Sequence, residues 1–397
     1  MTVKISYHKR LPMGFLLALI GYITIIAFIQ FQWCEMHAVH FGKKCIISLR
    51  GDGQGHYYIL IPGVIKDSTD FCIPTIRIAT LIMEAICVIM IIVSIILMII
   101  AYLGAVDQSV LMRATIIYEF LNITFGLGII IGISTLITTS VYLPVVDSRF
   151  YTLDELLSYA GLNNLTVSLT IWVYLILFGS IIVAASAWIV DYLSKKEIIA
   201  FYPSKVYSGL KYILSLAFFV MGITLTLNSI QFIQVLFQGE KTSLILSLIW
   251  TFFASLFATV FLISALFMYF KMLRDEYLIL ERLEVYYGVF DAVNIFLSFS
   301  TIFTAFVFAT RNEYLVGFAG FLVGFSFLLL GLGIIDIESV FKKEKIMRHI
   351  GQTLSLAGGL MIVGTVFGMV LLTIIGRMLY GFTMLISSIL ALKGIFT

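Results

Sequence analysis

Ten apolar stretches, each long enough to cross a bilayer, take up most of this 397-residue chain. They fall at about residues 12–32, 76–103, 112–143, 165–192, 208–237, 243–270, 286–309, 314–335, 352–374 and 378–396. A hydrocarbon core about 30 Å thick needs roughly 20 apolar residues at a helical rise of about 1.5 Å each. No water in that layer can satisfy open backbone groups, so runs this long and continuous must be helices. A membrane barrel would need short alternating strands, which are absent. With 61 % of residues hydrophobic and only 12 % charged, little chain remains for a soluble domain. The expected fold is an all-α polytopic membrane protein: about ten transmembrane helices and a small β-rich external loop between helices 1 and 2.

Orientation follows from the loops, because cytoplasmic loops retain Lys and Arg. With the N-terminus inside, Lys4, Lys9, Arg10, Arg113, Lys195, Lys196, Lys205, Lys211, Lys271, Arg274, Arg282, Lys342, Lys343, Lys345, Arg348 and Lys393 fall on the cytoplasmic side. The external short loops receive Arg149, Lys241, Arg311 and Arg377. The reading is thus a multi-pass protein of the cell membrane with both termini cytoplasmic and the first apolar run retained as a span. It divides into an N-terminal segment 1–11, a four-helix unit 12–193 holding the external loop 33–75, a cytoplasmic linker 194–207 and a six-helix unit 208–397. The net charge of +3 comes from basic residues at helix ends, so it reports topology and gives no sign of nucleic-acid binding. The expected partners are the lipid bilayer and membrane proteins or further copies of the chain.

The external loop reads as strand. Met36–Phe41, Cys45–Arg50 and His56–Pro62 are separated by Gly42-Lys43-Lys44 and by Gly51-Asp52-Gly53-Gln54-Gly55, a hairpin pattern that predicts a three-stranded antiparallel sheet. Cys34 and Cys72 stand at the two membrane-level ends of the loop, and Cys45 higher on a strand, so the favoured pairing is a Cys34–Cys72 disulfide at the neck. Cys87 falls inside span 2 as a packing residue. His37 and His40 point to opposite faces of a strand and cannot chelate together, so no metal is expected. The β-rich loop opening on Trp33-Cys34, Arg77 just inside span 2, and four spans over residues 10–193 resemble the claudin and peripheral-myelin-protein arrangement. The Gly-Leu-Trp signature of that family is missing and six further spans follow, so the resemblance is one of layout.

Ionisable groups inside a span cost about 2.5–3.5 kcal/mol at mid-bilayer and each needs a reason. Glu84, Glu119 and Asp291 are the clear cases. Glu119 with Asn122 and Asp291 with Asn294 repeat one pattern, a carboxylate and an amide three residues apart on the same helix face. Such a face could hold a proton or cation, or serve as a polar helix contact. Span 5 carries an amide-rich stripe of Thr224, Asn228, Gln231, Gln234 and Gln238, which either lines an external vestibule or forms the seam against the small-residue face of span 6. Gly128/Gly132, Gly320/Gly324 and Gly364/Gly368 make close-packing faces. The mixed-charge stretch after span 6, with Lys271 and Asp275 one turn apart, reads as a solvated cytoplasmic arm. Asn164 opens a glycosylation sequon at the outer end of span 4.

No catalytic motif, metal-ligand cluster or nucleotide loop is present, and no cofactor is expected. The intramembrane carboxylates favour a transporter or channel-like protein for an ion or small polar solute. The alternative is a non-catalytic structural or assembly subunit of a membrane complex, or an adhesion protein acting through the external loop. A membrane-embedded enzyme or quinone-binding electron-transfer subunit ranks last, since its redox centres would have to come from another chain.

Overall fold

The computed structural model describes residues 11–40, 43–61, 64–103, 108–142, 166–195, 205–238, 242–277, 283–310, 313–336 and 343–394. The Asn164 sequon, both chain ends and most of the expected linker lie outside them. The elements are α1 (Leu11–Phe28), β1 (Gln32–His40), β2 (Lys43–Arg50), β3 (Gln54–Ile61), β4 (Val64–Cys72), α2 (Pro74–Leu103), α3 (Gln108–Tyr142) and β5 (Thr166–Leu169). There follow α4 (Ile171–Lys195), α5 (Lys205–Gln238), α6 (Thr242–Tyr277), α7 (Leu283–Thr310), α8 (Glu313–Asp336), α9 (Glu344–Val366) and α10 (Val370–Leu392). Among the described residues, α2 to α10 are nine helices long and apolar enough to cross a membrane, and α1 is a shorter apolar helix. The architecture is that of an integral, multi-pass helical membrane protein with a small antiparallel sheet.

The chain divides into two compact units, the first being Met1–Leu111, Phe125–Glu197 and Phe308–Asn312, and the second the remainder, including Met112–Thr124 of α3. In the first unit α1 packs against both α2 and α4. At the α1–α4 crossing, a Cβ on Gly21 would lie 2.7 Å from the Gly179 carbonyl oxygen, so backbones meet where no side chain fits. Helix α4 likewise approaches α3 at Gly126, where a Cβ would come within 2.7 Å of Ser180 O. Helix α2 buries one narrow stripe through Thr80, Cys87, Ser94 and Ala101. Its remaining surface, including Ile82, Ile89, Ile92 and Ile96, is exposed and apolar, which suits direct contact with lipid.

The sheet has five strands in the order β4-β3-β2-β1-β5, every neighbouring pair antiparallel. Two strands exceed the expected three. β4 is rich in polar residues and reads as a linker, while β5 sits in the apolar run taken as the start of span 4. Residues Thr166–Leu169 of β5 pair with Cys34–His37 of β1, so the sheet draws on two loops, and α4 begins only at Ile171. The sheet is anchored where β1 leaves α1. Trp33 is fully buried and its indole Nε1 donates to Ile29 O at 2.8 Å, while Trp172 of α4 stacks on Phe31 at 4.8 Å. The β2–β3 turn lies directly on this corner: Gly51 N donates to Phe31 O at 3.0 Å, and a Cβ at Gly51 would stand 1.7 Å from Ile29 O.

The expected neck disulfide is not formed. Cys34 is a free, buried thiol, paired in register with Leu49 and Leu169, whereas Cys72 pairs with Gln54. The strand order puts β1 and β4 three spacings apart, about 14 Å, and a disulfide needs Cα atoms within about 7 Å. Burial, with the Glu35 charge adding, pushes the Cys34 thiol from 9.0 up to about 12.

In the second unit α5 packs against α6 and α10, and α9 against α8 and α10. The last two helices depart from expectation. The turn falls at Phe367–Met369, with Gly368 at φ 65°, about two helical turns before the expected boundary, so Arg377 lies inside α10 and not in an external loop. Gly364 faces Thr373 and Gly368 has nothing within 4 Å, so these two glycines make no packing face, whereas Gly320 and Gly324 do face Thr365 and Ile362 of α9.

Because the Cys34 thiol is buried and protonated at neutral pH, the intact protein should leave Cys34 unmodified by a maleimide that labels it after denaturation. Gly51→Ala should make Cys34 reactive without denaturant, since the added methyl cannot share space with Ile29 O. Peptide mapping reads both outcomes, and recovery of Cys34 linked to Cys72 would contradict the strand order.

Candidate functional site

Helix α3 differs from α2 in being buried on most sides from Thr115 to Thr138. Within the second unit its segment Met112–Thr124 runs antiparallel to α6. Thr124 Oγ1 donates to Ser264 Oγ at 2.9 Å, and Phe120 packs edge-on against Phe261 with centroids 5.9 Å apart. The same register brings Glu119 to Lys271, whose Nζ donates to Glu119 Oε2. Glu119 is 0 % exposed and Lys271 5 %. Lys271 is therefore no part of a solvated arm: α6 continues unbroken past it to Tyr277, and the lysine turns onto α3. The sequence signal was only partial: Glu119 stands inside one apolar run and Lys271 just past the end of another, and nothing in the sequence joins them.

Asn122, one turn from Glu119, is also fully buried. On α7, Asn294 is 1 % exposed and its Oδ1 has no hydrogen-bond partner among the described residues, while Asp291 is half-buried. Ser298 Oγ and Thr301 Oγ1 donate to carbonyls of their own helix, Asn294 O at 2.8 Å and Leu297 O at 2.7 Å, so these hydroxyls are spent on the backbone. Glu84 belongs to the first unit, half-buried on α2, where its Oε1 accepts from Gln30 Nε2 just beyond α1. It ties α2 to the corner that carries the sheet.

The amide stripe of α5 splits into two parts. Asn228 Nδ2 donates to Thr251 Oγ1 at 3.1 Å, Thr251 Oγ1 donates to Gln231 Oε1 at 2.6 Å, and Gln231 Nε2 donates to Ser247 Oγ at 2.7 Å. These side chains form the α5–α6 seam. Thr224 Oγ1 donates to Val220 O at 2.9 Å on its own helix, and Gln234 and Gln238 are exposed. Arg377 of α10 joins the seam from the third side, its Nη1 donating to Asn228 Oδ1 at 3.3 Å. It shares a helix face with the buried Ile374, Tyr380, Gly381 and Met384, so it points into the unit and not toward lipid. At about 1.5 Å per residue, Arg377 lies about 24 Å from Lys393 and about 13 Å from the α9–α10 turn. Sequence reasoning missed it because a charge between two apolar runs is ordinarily read as a loop residue.

The second unit thus holds two charged features at separate depths. One is the Glu119–Lys271 ion pair, whose acid can accept a proton or a cation; the other is a guanidinium at the end of a polar seam. The chain matches no family model, no curated protein and no solved structure.

A buried pair that loses one partner leaves a bare charge and costs about 3–5 kcal/mol, whereas neutralising both is close to neutral. Lys271→Met or Glu119→Gln alone should therefore lower the apparent melting temperature of the detergent-purified protein strongly, and the double variant should recover most of the loss. Additive losses would show that the two side chains are not coupled.

Proposed function

We propose that the chain is a membrane transport protein for a proton, small cation or small polar solute, with Glu119 as the group that exchanges its partner. The single observation that carries this reading is the fully buried Glu119–Lys271 pair between two membrane-crossing helices. Such a pair is a poor way to gain stability, since apolar residues of similar volume serve as well or better, and an ionisable group at this depth marks a transport or proton route by default. Lys271 holds Glu119 ionised and occupied. A proton or cation arriving at Glu119 competes with the lysine, and release of Nζ separates α3 from α6 at that level, coupling occupancy to movement. Asn122, one turn further along α3, and the Asp291–Asn294 pair of α7 offer further oxygen ligands of the same kind in the same unit.

The test is flux in liposomes reconstituted with the purified protein. Glu119→Gln/Lys271→Met keeps shape and removes both charges, so it should reconstitute as well as wild type and lose proton- or cation-dependent uptake by at least tenfold. Uptake at the wild-type rate would reduce the pair to a structural contact.

A second reading, an assembly subunit or adhesion protein, is favoured by the five-stranded sheet, which two loops build and Trp33, Gly51 and Trp172 clamp to the helices. A flexible loop would need no such clamp. On this reading affinity purification under mild detergent recovers a partner protein in stoichiometric amount, and replacing residues 43–72 with a short linker abolishes its recovery while flux is unaffected.

A further inference from the structure

Arg377 presents five donors in a rigid fork. Its Nη1 reaches Asn228 Oδ1, a neutral acceptor, and among the described residues no carboxylate pairs with it. The residue is half-buried, and among the described residues its other donors have no protein partner. The side chain nevertheless projects from the buried face of α10 toward α5. A cation so placed, with donors left over and no carboxylate partner among the described residues, has the makings of a receptor for an anion.

We propose that Arg377 and Asn228 form a binding site for an oxyanion, a phosphate or carboxylate group, between α5, α6 and α10. The guanidinium supplies a forked pair of donors matched to two oxygens of the ligand. Asn228 orients the fork from behind, and Asn228 is itself held by Thr251, whose hydroxyl is committed to Gln231. Gln234, exposed less than two turns further along α5, offers an amide donor on the approach. This site is distinct from the Glu119–Lys271 pair: Thr251 and Lys271 lie about 30 Å apart along α6 at about 1.5 Å per residue. It stands whether or not that pair drives transport. The oxyanion can come from a dissolved anion or from the head group of an acidic phospholipid reaching down between the helices, and both would meet the same fork.

The experiment follows the apparent melting temperature of the full-length protein in detergent. It compares inorganic phosphate and acetate with chloride at equal ionic strength, and separately compares micelles with and without phosphatidic acid. Wild type should gain a few degrees from at least one oxyanion: a response to phosphate or acetate identifies a dissolved ligand, and a response to phosphatidic acid alone identifies a lipid head group. Arg377→Gln should abolish the gain. Asn228→Asp guards against misfolding of that variant, because it changes only an amide to a carboxylate and neutralises the guanidinium from within. It should raise the basal melting temperature and abolish the gain. Absence of any oxyanion response in wild type, or a response retained at wild-type size in either variant, overturns the site.

Discussion

A charge placed in hydrocarbon must find its counter-charge within the protein, from solvent that follows it in, or from a ligand. At about 2.5–3.5 kcal/mol per charged side chain near the bilayer centre, this constraint organises the second unit. Glu119 meets it with Lys271, which fixes the register between α3 and α6. Arg377 meets it only in part, through Asn228, and that shortfall sets it apart from the ion pair. In the first unit the same pressure is mild. Glu84 sits toward the end of α2 that adjoins the sheet, and its carboxylate accepts a hydrogen bond from a neutral amide, Gln30.

The helices themselves associate without a hydrophobic drive, since lipid tails are as apolar as the side chains they would displace. Close backbone approach takes over that role. Gly21 against Gly179, and Gly331 against Gly351, are crossings where a Cβ would fall under 3 Å from a carbonyl oxygen. Buried hydroxyls mostly bond back to their own helix, as Thr80 to Ile76 O and Ser229 to Leu225 O do at 2.8 Å, so they add little interhelical cohesion. Single hydroxyl links do cross between helices, as Thr124 to Ser264, Ser215 to Ser388 and Ser326 to Ser300, but the α5–α6 seam is a connected series, and its amides account for it: Asn and Gln carry both a donor and an acceptor beyond reach of their own backbone.

The spans were legible because their signal is compositional, and hydrocarbon admits no other reading of such runs. Partnerships between runs were not legible. Lys271 and Arg377 were both assigned to loops for one physical reason: a single sequence displays the cost of a buried charge but not the distant residue that offsets it. Arg377 drew the last helix boundary toward itself, whereas the actual turn, Phe367–Met369, is apolar and marked only by Gly368. Strand β5 was hidden in the same way, its four residues acquiring strand character only by pairing with Cys34–His37. The carboxylate–amide pattern on α3 was visible, and so was the alternative that the stripe of α5 is a seam. For Asn228 and Gln231 the seam is what forms.

The seam also explains how a guanidinium persists beside a neutral amide. Along the chain from Arg377 to Asn228, Thr251, Gln231 and Ser247 every bond donates in the same sense, away from the arginine. Each link therefore turns an oxygen toward Arg377, and the aligned dipoles reinforce one another in a medium of low polarity. The result is a diffuse counter-charge spread over two helices, enough to hold the guanidinium in place and too weak to saturate it. A carboxylate at position 228 would have saturated it and closed the fork. An amide there keeps Arg377 oriented while leaving its other donors for an oxyanion.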